Sequence, residues 1–419
     1  MNRTILVTVC ASLALGASVV SSRRAHPVDP VTEWSMAASA AAGASGMAPL
    51  RAPISFAILH LAMYDAVNAI AGDHQTYAVR VRATLPASTP AAAIEAGYHV
   101  MLAEFASEQQ AIRSTYEKLL ATEPESAERT RGMEIGRNVA RQLLALRKAD
   151  RRNETVSYEP GSASGGWVPT PPEFLAATTA WLARVTPFTM ETPSQFRTAG
   201  PPRLASRKWA EEFNEVKALG GATSTARTPE QTATALFWEP LAGTVWPATI
   251  RRMAAEERLD VSASARFQAS AFSAFADGLI ACWDAKFFFN SWRPVTAIRN
   301  GGSDGNDHTA AEAAWEPLAV TPNFPEYPSG HACVTSAVAF TIEDFFHGAV
   351  RIPARSVRTG TERVYARASD AVAEVVEARM LLGLHFRSGD EDGAEIGRRI
   401  ARQIQERWFR KSRSQSSPR

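Results

Sequence analysis

Tyr327-Pro328-Ser329-Gly330-His331, running into the apolar stretch from Ala332 to Phe346, decides how this chain is read. In that stretch His331, Val334, Val338, Ile342 and Phe345 recur at helical spacing and share one face, while Cys333 points away from it. Ser329 and Gly330 stand at the start of the helix. Unpaired backbone N–H groups and the positive end of the helix dipole attract an anion there, and glycine permits the close approach that a side chain would block. A helix of this kind begins with a seat for an anion and an inward histidine beside it.

Two flanking segments carry charges on the same kind of buried stripe. Upstream, Phe272, Phe275, Leu279, Cys282, Lys286 and Arg293 fall on one side of a helix at ~100° per residue, and Pro294 is expected to end that helix at Arg293. Asp277 and Asp284 point the other way. Downstream, Val372, Val375, Val376, Arg379 and Gly383 form a third stripe that ends in His385, with Glu374, Glu377 and Glu395 off it. An unpaired buried guanidinium costs several kcal/mol, so three inward cations call for anionic partners. Separate ion pairs with carboxylates such as Glu312, Glu326 or Glu343 are one solution. A single oxyanion pocket that unites the three cations, the helix start and two histidines is the other, and the better joint account.

The rest of the chain is read as helical support. Its 419 residues suit one large or two medium domains, and 45 Lys+Arg against 43 Asp+Glu leave a net charge of +2, too weak a field to argue for nucleic acid or an anionic membrane. Arg3 followed by the apolar run Ile5 to Val20 reads as an export signal over residues 1–25, secreted or periplasmic in destination, with an uncleaved anchor as the alternative. No other stretch is read as approaching membrane-spanning length, so a multi-pass protein is not expected. Residues 26–227 are expected to form an N-terminal helical region with an irregular connector from about 151, where Pro160-Gly161, Gly165-Gly166 and Pro201-Pro202 break any long element. Thr228-Pro229-Glu230-Gln231 is a helix-start signature that opens a second helical unit over 228–410. Residues 411–419 form a basic tail, and Arg410-Lys411-Ser412-Arg413 reads as a solvated end.

His60 and His99 are read as core or boundary histidines, and the sequence carries no zinc-ligand spacing. Of the three cysteines, Cys10 lies in the signal; Cys282 and Cys333 could pair in an oxidising compartment, but helical spacing sets them on differently directed faces, so the bridge is the less favoured arrangement and stays open. Phe287, Phe288, Phe289 and Trp292 are read mainly as packing residues.

Lys286 with Arg293-Pro294, then Pro328-Ser329-Gly330-His331, then Arg379 with Gly383 and His385 resembles, in order, the three-part signature of the superfamily joining vanadium-dependent haloperoxidases and type 2 phosphatidic acid phosphatases. Trp292-Arg293-Pro294, Pro322-Asn323-Phe324-Pro325-Glu326-Tyr327 and Ala62-Met63-Tyr64-Asp65-Ala66-Val67-Asn68 are similar to its soluble bacterial haloperoxidase-like branch. The resemblance implies an all-α fold of helical bundles with the anion between helices of the C-terminal half. It implies that Lys286, Arg293, Ser329, Gly330 and Arg379 hold vanadate or phosphate, that His385 bonds the central atom as the metal ligand, and that His331 moves protons. It implies an enzyme that uses vanadate and hydrogen peroxide to oxidise halide, with Lys286 polarising the peroxide. The alternative is a secreted acid phosphatase that cleaves a phosphate ester through a phosphohistidine at His385, without vanadate, and the minor one a non-catalytic oxyanion-binding protein. One position departs from the pattern. The family commonly places an aspartate four residues after the third-motif histidine to orient it, and here that position is Gly389, with Asp390 expected to take the role.

Overall fold

The structure, a computed structural model, describes residues 29–161, 163–348 and 350–412. The expected export signal and the end of the basic tail lie outside the described residues. Among the described residues, thirteen α-helices make up the frame: α1 Pro30–Ala44, α2 Ala52–Ala71, α3 Thr89–Glu104, α4 Gln109–Leu120, α5 Ala127–Arg147, α6 Arg207–Leu219, α7 Pro229–Phe237, α8 Ala242–Glu256, α9 Val261–Phe289, α10 Pro294–Arg299, α11 Gly330–Phe345, α12 Ala368–Leu381 and α13 Arg387–Arg407. The described strands form one antiparallel hairpin, β1 Ile352–Arg355 and β2 Glu362–Tyr365. This is the expected all-α architecture.

The helices start where the sequence signals a start. Asp29, Ser88, Ser126, Ser206 and Asp260 each cap a first turn through a side-chain oxygen. Thr228 and Gln231 close a reciprocal capping box on α7. Apolar residues then pull the helices into one continuous core that runs from Val31 to Phe409, with a second cluster around Trp209, Trp292, Leu384 and Phe386 beneath the turn after α12. α2 departs from the sequence reading. It is long and apolar enough to cross a membrane by length and composition, yet 89% of its most apolar window is buried inside the protein, as in a core helix.

Small residues bring the helices of the C-terminal half close together. α11 packs against both α9 and α13. On α9, a Cβ at Gly278 would lie 3.4 Å from the Val334 Cα of α11. On α13, a Cβ at Gly393 would stand 2.7 Å from the Ser329 carbonyl oxygen, and one at Gly397 would overlap that of Cys333. The backbone of α11 is therefore held from two sides.

Several expectations change here. α9 stops at Phe289, because Asn290 takes a left-handed conformation at φ 52° and its N–H closes on the Lys286 carbonyl. Residues 290–292 pair instead with the loop at 165–167, so Arg293 sits in extended backbone ahead of α10 and not on the α9 stripe. Gly383 likewise lies beyond α12 in a left-handed turn packed on Gly220. Cys282 and Cys333 meet in the core with their sulfurs 2.6 Å apart. α9 is buried on every side, so it has no single inward face from which a direction can be read. His60 is a core residue stacked on Phe272, although neither ring nitrogen has a hydrogen-bond partner. The start of the basic tail is held: the Arg410 carbonyl accepts from Gln75 N–H at 2.8 Å and Ser412 N–H donates to Asp73 O at 2.9 Å.

Gly397→Val drives a branched side chain into the α11 backbone. It is expected to cost about 1–3 kcal/mol, read as a lower urea midpoint at unchanged slope.

Candidate active site

The motif cations converge at one end of α9, α11 and α12, and all three are buried. They are held chiefly by backbone carbonyls. Lys286 donates to the carbonyls of Pro325 at 3.1 Å, Glu326 at 2.8 Å and Pro328 at 2.5 Å, so its ammonium clamps the turn that leads into α11. All three of its hydrogens are committed there. The expected direct bond from Lys286 to an anion or a peroxide thus has no free N–H in this structure, and its contribution is charge and the shape of the turn. Arg293 donates through Nε to Phe324 O at 3.0 Å and through Nη1 to Leu384 O at 2.9 Å, leaving Nη2 buried without a partner. Arg379 donates through Nη1 to Trp238 O at 3.0 Å and leaves Nε without a partner.

Ser329 stands at the N-cap of α11 but makes no capping bond, and its buried hydroxyl has no partner. Its own N–H is taken by the Gly389 carbonyl at 2.8 Å. Arg293 Nη2, Arg379 Nε and Ser329 Oγ are therefore orphaned donors beside an uncapped helix start. A buried donor left unpaired costs about 1–3 kcal/mol, so this set calls for a ligand with several oxygen acceptors. The donors match a tetrahedral or trigonal oxyanion, vanadate and phosphate included.

His385 closes the pocket. Its Nδ1 lies 2.7 Å from Glu326 Oε1, and its Nε2 faces the cradle 3.4 Å from Arg293 Nη1. With Nδ1–H donating to Glu326, Nε2 presents a lone pair, the form a metal ligand or nucleophile needs. Asp390, expected to support His385, does not. It is buried near Ser329 and Arg379, neither carboxyl oxygen has a hydrogen-bond partner, and burial raises its pKa well above the usual carboxylate range. The reason lies at Gly389. A Cβ there would overlap Glu326 Oε1, so the missing side chain makes the space that Glu326 fills. Glu326 was one of the carboxylates considered for the cations; its pairing with a histidine depends on a contact 59 residues apart in sequence.

His331 is half-buried at the edge of the cradle, its Nε2 2.9 Å from Pro240 O. Burial, then the charge of Arg379, holds its pKa well below the ordinary histidine value, and burial with the Arg293 charge does the same to His385. Burial pushes Lys286 down to about 8 and Glu326 up to about 7. A cavity of about 320 Å³ leads to His331, Arg379 and His385, and Phe275, Trp283 and Phe324 supply its aromatic lining. Of the aromatic residues named from sequence, Trp292 packs in the second core cluster and Phe288 is exposed beneath Arg197. The loop at 238–240, which holds Arg379 and His331 through carbonyls, left no side-chain signal in the sequence. The other carboxylates are engaged elsewhere: Glu312 with Lys217, Glu343 with the start of α12, Asp277 with residues 188 and 189, and Asp284 with Arg197.

Residues 266–413 match the family model described as the VCPO second helical-bundle domain. Over that stretch the chain is similar to the second helical-bundle domain of the vanadium chloroperoxidases. Vanadium chloroperoxidase of Curvularia inaequalis is 31% identical over 200 residues, a match that takes in 39% of this chain and 33% of that relative. Among solved structures, a bacterial vanadium-dependent iodoperoxidase aligns at TM-score 0.77 and 21% identity over 92% of this chain and 97% of its own. The holo form of a bacterial vanadium-dependent chloroperoxidase aligns at TM-score 0.66 and 17% identity over 91% of this chain and 96% of its own. These likenesses establish the fold across nearly the whole chain, including helices outside the matched domain.

Two outcomes are expected at this site. Gly389→Ala displaces the Glu326 carboxylate from His385 and should weaken oxyanion binding or turnover by roughly 10–100-fold, while the protein remains folded by circular dichroism. Sulfate, whose charge does not change near neutrality, should bind with falling affinity as pH rises through about 8, because Lys286 loses its proton there. A bound anion favours the charged lysine, so binding takes up a proton and affinity drops by up to about tenfold per pH unit above that point. Titration calorimetry across this range reads the slope.

Proposed function

We propose that this chain is a vanadium-dependent haloperoxidase, with vanadate as its cofactor and hydrogen peroxide and halide as its substrates. The observation that carries the reading is the convergence of three orphaned buried donors on a histidine whose Nε2 faces them, with only a long 3.4 Å contact to Arg293 Nη1, and whose Nδ1 is backed by a carboxylate. Arg293, Ser329, Arg379 and the first N–H groups of α11 would hold the vanadate oxygens, with His385 Nε2 as the ligand. Vanadate supplies the Lewis-acid centre at which peroxide is activated toward halide. The chain's own residues supply the rest. Glu326 holds the His385 proton at Nδ1 and keeps Nε2 turned to the cradle. His331, neutral because of burial and nearby cations, accepts a proton at Nδ1, the nitrogen not engaged by Pro240 O. Lys286 holds the 325–328 turn and contributes positive charge. The mostly apolar cavity admits neutral hydrogen peroxide and limits water around the cradle.

The same donors fit a phosphoryl group, so the assay separates the chemistries. Bromide oxidation with vanadate and peroxide is expected, and His385→Ala should abolish it. Arg379→Ala should weaken vanadate affinity and activity by roughly 10²–10³-fold. His331→Ala should leave affinity nearly unchanged and lower turnover by roughly 10²-fold. Hydrolysis of p-nitrophenyl phosphate, inhibited by vanadate and without any halide oxidation, would assign the site to phosphate esters and make His385 the nucleophile. Tight vanadate binding with neither activity would leave only a binding protein.

A further inference from the structure

Cys282 lies one turn beyond Gly278, the point at which α9 comes closest to α11. Cys333 sits in the first turn of α11, where α13 holds the backbone from the other side. Both side chains are fully buried, and the structure holds them as thiols with Sγ atoms 2.6 Å apart. Two unbonded sulfurs do not sit that close, and a shift of about half an ångström brings them to the S–S distance of about 2.05 Å. Cys282 Sγ is also 3.6 Å from the Pro328 carbonyl, the same oxygen that Lys286 holds at 2.5 Å.

We propose that Cys282 and Cys333 form a disulfide that staples α9 to α11 directly behind the oxyanion cradle. The two cysteines are 51 residues apart, and the loop they close contains Lys286, Arg293, Glu326, Ser329 and His331. The bond ties both ends of the segment that supplies most of the site. Hydrogen peroxide is a sufficient oxidant. The sulfur of one thiol attacks a peroxide oxygen, the O–O bond breaks, and the thiol proton joins the departing hydroxide as water, leaving a sulfenic acid; the second thiol then attacks that sulfur, and its proton leaves with the sulfenic hydroxyl as a second water. Two thiols are oxidised, one peroxide is reduced, and two waters leave. The inference rests on the two side chains and their helices, independently of which reaction the site performs.

Peptide mapping of the full chain tests it. Protein exposed to hydrogen peroxide is unfolded in iodoacetamide without reductant, digested and compared with a reduced sample. The expected result is a crosslinked peptide pair carrying Cys282 and Cys333 in the unreduced sample, and alkylation at both positions only after reduction. Reduction should also lower the thermal midpoint by about 5 °C, the loss expected when a loop of this length is released. Cys282→Ala should show the lower midpoint from the outset and no response to reductant. Alkylation of both cysteines in the unreduced, peroxide-treated protein overturns the crosslink. A crosslink whose reduction leaves the midpoint unmoved overturns its role as a staple.

Discussion

Three cations buried together, outnumbering the two carboxylates Glu326 and Asp390 buried beside them, are the constraint on which this structure depends. Lys286, Arg293 and Arg379 are solvated mainly by carbonyls of residues 238, 324–328 and 384. A carbonyl inside a helix is spent on the helix, so these segments have to be irregular at the points where they meet the cations. The Pro-rich turn at 322–328 and the left-handed turn at Gly383 meet that requirement. Carbonyl dipoles also stabilise a charge without cancelling it. Carboxylates in the same places would have neutralised the pocket and left nothing to attract an anion; carbonyls leave the positive charge available.

The orphaned donors have meaning only in a rigid frame. A flexible pocket would let Arg293 Nη2 or Ser329 Oγ turn to a nearby acceptor, and the site would relax into an ordinary polar core. Here Gly393 and Gly397 of α13 and Gly278 of α9 grip the backbone of α11, so the helix start cannot shift toward Ser329's neighbours. Lys286 and the Gly389 carbonyl hold the preceding turn from two further directions. Close helix packing, which stabilises the fold, is thus also what keeps the cradle from collapsing on itself.

The fold class, the capped helix starts and the three motif segments were legible in the sequence because each has a local signature: apolar periodicity, a capping pair, or a charge on a buried stripe. Other expectations fail where a local pattern does not decide the outcome. Residues 286 and 293 are seven apart and share a helical face whether or not the helix continues between them, so the stripe could not reveal that Asn290 ends it. Cys282 and Cys333 stand on helices buried all round, where a face carries no direction. The apolar length of α2 suits a core helix as well as a membrane span, and length alone does not separate the two. The carbonyls that hold the cations carry no residue-type signal at all, and the partner of His385 came from a different motif.

That last point changes what the departure at Gly389 means. Taken alone, the absence of an acid four residues after His385 argues for a damaged site, since an unsupported imidazole loses its preferred tautomer and much of its basicity. What the histidine requires is a buried carboxylate at Nδ1, and the chain position that supplies it is free to vary. Glu326, two residues before Pro328, reaches that point because residue 389 has no side chain, and the neighbouring cations Lys286 and Arg293 favour its ionised form against the cost of burial. Position 389 and position 326 therefore act as one unit: the glycine makes room and the glutamate uses it. With that support in place, the one feature that favoured a non-catalytic oxyanion binder becomes an argument for a working His385.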